Sequence, residues 1–108
     1  MFDNPTACHW VSAVQKVPIL VLIYDNQMYG AVRNSTASMY QNGASAGNAC
    51  LLLADLSPAP AFEKVVEASG GYGERVNDPA ELPAALARAL HAVITQQRQT
   101  LVNIMCQY

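Results

Sequence analysis

At 108 residues and 11.6 kDa the chain has room for one compact core, so these residues cannot also hold a separate substrate domain. Hydrophobic residues make up 52% and charged ones 13%, against a usual charged share of about 25%, which excludes disorder and implies that much of the surface packs against something. Six Lys+Arg against eight Asp+Glu, a formal net charge of -2, form no basic stripe for phosphate backbones, so no nucleic-acid partner is expected.

In chain order, Asn4-Pro5 supplies a side-chain acceptor and a first-turn proline, and Ala7, Val11 and Val14 follow at helical spacing. This predicts a helix over 5–15. Pro18 blocks its continuation, and Ile19 to Tyr24 is a β-branched apolar run without polar alternation, the pattern of a strand buried on both faces of a parallel sheet. Asp25-Asn26-Gln27 closes that run with polar groups at its carboxyl end, where open α/β sheets bind their ligands. A short helix is expected from Gln27 to about Arg33, and then a loop over 34–48, rich in Ser, Asn, Gly and Ala.

Leu51 to Leu56 is apolar but too short to assign. After the Ser57-Pro58-Ala59-Pro60 break, Phe62, Val65, Val66 and Ser69 share one helical face, and Ser69-Gly70-Gly71 stops that helix near Ala68. Tyr72 to Val76 reads as a short strand. Asp78-Pro79-Ala80-Glu81 is the clearest helix start: a cap, a first-turn proline and a carboxylate three residues after the cap. Leu82, Leu86, Ala89, Leu90 and Val93 give its apolar stripe to about Gln97, and Thr100 to Cys106 is a final buried strand. This alternation predicts an α/β fold, layered α/β/α, with a mainly parallel sheet. The amino-terminal helix lacks a preceding strand to dock it, which is the mark of an incomplete domain.

The apolar run Val17 to Tyr24 is far short of the roughly 20 residues a membrane span needs. The first five residues lack a signal peptide's basic lead and apolar core. A cytoplasmic protein with no membrane partner is the expectation. Cys8, Cys50 and Cys106 fit neither a disulfide framework nor a paired-thiolate zinc site, so reduced, mostly buried thiols are expected. His9 and His91 stand at no ligand spacing and read as structural or surface residues. Gly70-Gly71-Tyr72-Gly73 follows a helix and precedes a strand, the wrong order for a phosphate loop. By contrast, the oxygen-bearing side chains after the Ile19–Tyr24 strand are the donor set that hard cations such as magnesium prefer. Composition alone also allows a polar helix cap at that point.

The segment from Val17 through Asp25-Asn26-Gln27-Met28-Tyr29-Gly30 to Arg33 resembles the second half of the thiamine-diphosphate signature of the acetolactate synthase and benzoylformate decarboxylase family. A Pro-led apolar strand precedes the closing pair, Tyr-Gly-Ala and a basic residue follow it, and Phe62 to Val76 is similar to that family's phenylalanine-led helix ending in Gly-Tyr-Gly. The resemblance implies a carboxyl-terminal cofactor domain spanning 1–108. It also implies a magnesium ion held by the Asn26 side chain and the Met28 carbonyl, with Tyr29 and Gly30 beside the diphosphate. Asp25 stands where the family usually has its first asparagine and is not expected to bind the metal. The intact enzyme would decarboxylate or join 2-oxo acids, with thiamine diphosphate and Mg2+ as cofactors, and is expected to be a homo-oligomer.

The opening Gly-Asp-Gly of that signature does not occur in the chain, since its aspartate would fall just before Met1. Half the metal site is therefore expected upstream, and the piece alone is expected to be inactive, with no catalytic residue of its own. A non-catalytic α/β oligomerisation or binding module derived from the same fold stays open as the alternative.

Overall fold

The runs predicted as strands pair around the last of them. A computed structural model describes residues 5–43 and 54–106, and the chain divides into two compact units, Met1–Asp25 with Ala61–Tyr108 and Asn26–Pro60. In the first unit, β1 (Leu20–Asp25) and β2 (Tyr72–Val76) flank β3 (Thr100–Met105), giving an open three-stranded sheet of order β1-β3-β2 in which both pairings are parallel. Its helices are α1 (Pro5–Gln15), α3 (Glu63–Glu67) and α4 (Leu82–Ile94), while α2 (Gly30–Met39) belongs to the second unit.

Alternation along the strands assigns the helices to two faces. Val76, Val102 and Ile104 pack with Ala85 and Ala89 of α4, and Leu20, Leu82 and Cys106 border that core. The intervening residues of β2 and β3 face the other way, where Asn103 Nδ2 donates to Glu63 Oε2 of α3 at 3.0 Å. The fold is thus α/β with helices on both sides of a parallel sheet. β3 is buried along all but its last residue, as the sequence leads one to expect. β1 is not buried on both faces: Leu22 is 38% and Tyr24 70% exposed. The apolar core under α4 draws on β2 and β3 and meets β1 only at Leu20.

The helix ends are set by local chemistry. Pro5–Gln15 forms as expected, and Lys16, at a φ of 53°, turns the chain out so that the Val17 N–H reaches the Ser12 carbonyl at 3.1 Å. Gln97 does the same after α4 at a φ of 52°, and its side chain donates to the Ile94 carbonyl at 3.0 Å. The helix therefore stops at Ile94, short of Gln97. Asp78 caps the last helical segment through the Ala80 N–H at 2.9 Å, but the first turn, Pro79–Glu81, is a 3-10 helix and Glu81 makes no reciprocal cap bond. The buried face of α4 is Ala85, Ala89 and Ala92, whereas Leu90 is 46% exposed and Leu86 only half-buried. Leu90 thus leaves the expected stripe, because small side chains let the helix axis sit close to the sheet.

Between α3 and β2 the chain turns at Gly70, with a φ of 76°, and then packs tightly: a Cβ on Gly73 would collide with the Glu63 carbonyl oxygen. The glycine run is a helix stop, as expected, and the structure adds a close approach at Gly73. On the opposite face, Arg88 of α4 forms an ion pair with Glu74 of β2, and the Tyr72 hydroxyl donates to Glu74 Oε2 at 2.6 Å. Arg88's hydrogen bond holds Glu74 below the ordinary carboxylate value, while burial pushes the Tyr72 hydroxyl up.

Two measurements test this packing. Ala89→Leu should destabilise by about 1–3 kcal/mol through overpacking, and Leu90→Ala, at an exposed site, should stay within about 0.5 kcal/mol; equal costs in chemical denaturation would reverse the helix face. Because Glu74 is depressed in the folded chain, its contribution is present above the ordinary carboxylate value and lost as pH falls through the folded one. The melting temperatures of the wild type and Glu74→Gln should therefore differ most near neutral pH and converge in acid.

Candidate functional site

β1 ends in Asp25, and the chain leaves the sheet through Asn26, Gln27 and Met28. Within Asn26–Pro60 this turn is built by three local devices. Asn26 Oδ1 accepts the Met28 N–H at 3.2 Å, a side-chain-closed turn that asparagine forms readily. Gln27 sits at a φ of 56°, left-handed backbone that costs a non-glycine residue roughly 1–2 kcal/mol. Met28 then pairs antiparallel with Asp55, flanked by bonds from the Tyr29 N–H to the Ala54 carbonyl and from the Leu56 N–H to the Gln27 carbonyl, each 2.8 Å. Neither flanking bond uses the Met28 carbonyl. These devices delay the helix: α2 begins at Gly30 rather than Gln27, and it runs to Met39 through residues expected to form a loop. That helix has no fully buried residue, so it left no apolar periodicity to read. Of the expected loop, residues 44–48 lie outside the described residues, as do Leu51–Leu53 and Cys50.

A cavity of about 160 Å3 opens at the turn, lined among others by Asn26, Met28, Arg33, Asp55 and Ser57. Arg33 Nη1 lies 3.8 Å from Met28 Sδ. Asp55 Oδ1 accepts from the Ser57 N–H at 2.9 Å and from the Ser57 hydroxyl at 2.6 Å. Two of the four residues named from the sequence, Asn26 and Met28, therefore line one cavity; Tyr29 is 44% exposed and Gly30 opens α2, whose N-terminus has no side-chain cap. Sequence reasoning missed Asp55 and Ser57. Their only signal was the Asp-Leu-Ser-Pro order, a turn pattern that gives no hint of pairing with Met28.

The other candidates fall elsewhere. His9 is fully buried in α1, with Nδ1 3.1 Å from Gln99 Oε1, and His91 is exposed on α4. Cys8 is exposed and Cys106 half-buried, so the expectation of mostly buried thiols fails at Cys8, on the solvent side of α1. Among the described residues no three His, Cys, Asp or Glu side chains converge to hold a metal ion. No helix among them is long and apolar enough to cross a membrane. A second cavity, about 440 Å3, is lined by Tyr72, Arg88 and His91 among others. Its guanidinium is already paired with Glu74.

An oxygen-bearing turn at the carboxyl end of a parallel strand, followed by an uncapped helix, is the arrangement that α/β folds use for phosphate-bearing ligands. Residues 6–104 match the family described as thiamine pyrophosphate enzyme, C-terminal TPP binding domain. The chain belongs to that family. Over 81 residues, 74% of the chain, it is 35% identical to a protein named probable acetolactate synthase from Mycobacterium bovis, and equally to the acetolactate synthase large subunit IlvG of Mycobacterium tuberculosis. The matched stretch is 13% of each relative's length. Asn26 lies within the matched residues.

Proposed function

We propose that residues 1–108 are the carboxyl-terminal cofactor domain of an acetolactate synthase-like enzyme that decarboxylates or joins 2-oxo acids. Membership of the TPP-binding family over residues 6–104 carries this reading. The residues of the turn fit the group: Asn26 lines the cavity, and the Met28 carbonyl takes no part in the bonds flanking its bridge. Amide and carbonyl oxygens are hard donors, suited to Mg2+. These two would hold the magnesium, and Tyr29 with Gly30, at the uncapped start of α2, would lie beside the diphosphate. Thiamine diphosphate supplies, when bound, the thiazolium carbon whose chemistry acts on the 2-oxo carbonyl.

This chain's own part is binding and orientation. The Asn26–Met28 hydrogen bond fixes the amide oxygen in place before any ligand arrives, so less freedom is lost on binding. The Gly-Asp-Gly half of such a site is not among these residues, and we assign it to a preceding segment. A cytoplasmic homo-oligomer completes the proposal. Exposed Trp10, Val14, Val17 and Tyr24 support burial against further protein.

Calorimetric titration of the protein with thiamine diphosphate, with and without Mg2+, tests the reading. Saturable, magnesium-dependent heat is expected, with Asn26→Ala weakening it by about tenfold or more while the far-ultraviolet circular dichroism stays unchanged. Unchanged affinity in Asn26→Ala would remove that residue from the site. No heat from folded wild-type protein would favour a binding or oligomerisation module without catalysis.

A further inference from the structure

The unit Asn26–Pro60 contains a single basic residue, Arg33, and a single acid, Asp55. Both line the cavity to which Asn26 and Met28 also belong. Asp55 Oδ1 accepts from the Ser57 N–H and hydroxyl, which ties that carboxylate to its own turn. Arg33 enters no ion pair among the described residues.

The backbone of Arg33 is fixed by the first bond of α2, from its N–H to the Tyr29 carbonyl at 3.0 Å. Helical side chains lean toward the amino end of their helix, so from this position Arg33 reaches back over the first turn. Its Nη1 lies 3.8 Å from Met28 Sδ, the one polar contact of its head group among the described residues. A thioether is a weak acceptor and leaves the guanidinium charge uncompensated. The side chain is nevertheless half-buried. Withdrawing a cation partly from water has a cost that an anion entering the cavity would offset.

The donors assigned above to the metal, the Asn26 amide and the Met28 carbonyl, are neutral. A diphosphate carries more negative charge than one divalent ion offsets, and the planar fork of a guanidinium matches phosphate oxygens in pairs. We propose that Arg33 is a phosphate-binding residue of this cavity, taking the charge of a diphosphate that the metal leaves over. That the diphosphate belongs to thiamine rests on the reading given under the proposed function; that the cavity takes a diphosphate through Arg33 does not.

Calorimetric titration of the 108-residue chain with thiamine diphosphate and, separately, with inorganic pyrophosphate, each with Mg2+, tests the proposal. Arg33→Met keeps an apolar stem and a good helix former while removing the charge. Both ligands should then bind about tenfold or more weakly, with a shallower dependence on added salt and an unchanged melting temperature. Arg33→Lys, which keeps the charge and loses the fork, should restore part of the affinity. Unchanged affinity in Arg33→Met beside a loss in Asn26→Ala overturns the proposal and leaves the cofactor reading standing. A loss confined to thiamine diphosphate, with pyrophosphate held as in the wild type, overturns the phosphate contact. Wild type that takes pyrophosphate but not thiamine diphosphate, with the loss in Arg33→Met, defeats the thiamine reading and upholds Arg33. Folded wild type that takes neither ligand overturns both. Should Arg33→Met fail to fold, Arg33→Gln replaces it in the same measurements.

Discussion

β3 has no side turned to water over five of its six residues, with a strand on each edge and helices above and below. Everything placed in the first unit refers to it. Both outer strands run parallel to it, so each must return through a crossover rather than a hairpin, and helices are the economical way to cover the apolar faces that result. The register with β3 puts Asp25 at the carboxyl end of β1 and Val76 at that of β2. The carboxyl end of the sheet, the end at which open α/β sheets bind their ligands, is thereby defined.

The two faces solve the burial problem differently. Under α4 the contact is apolar and close, alanine on the helix against valine and isoleucine on the sheet. Under α3 it is polar, with the buried Glu63 and Asn103 joined by a hydrogen bond. Hydrogen bonds made in such surroundings are directional and resist repacking, so this face specifies geometry where the other supplies hydrophobic stabilisation.

Where the chain was legible, a single strong local signal was present. Pro5, the Ile19–Tyr24 run, the Asp78-Pro79 start and the Thr100 strand each have a short-range cause, and each appeared within a residue or two of its expected place. Elements that depend on distant partners were not legible. The length of α2 could not be read because nothing in it is fully buried, and the Met28–Asp55 bridge could not because no pattern marks a two-residue pairing. The Leu90 error has a similar root: apolarity marks a helix as amphipathic, but the sheet's need for close approach selects the alanine face instead. At the site, Asn26 and Met28 were named through the family's signature and not through periodicity, whereas Asp55 and Ser57, some thirty positions away, reach the same cavity only by folding.

The bend between α3 and β2 shapes how this sequence can drift. Gly70 and Gly73 look alike in the sequence, yet one is glycine for its backbone angle with open space around it, and the other for the atoms pressed against it. A mutation at the first is a matter of torsional preference, which asparagine partly satisfies. At the second, every amino-acid replacement brings a carbon into the Glu63 carbonyl and presses on the helix that carries Glu63. Over many generations the first position can wander among a few residues, while the second is held still.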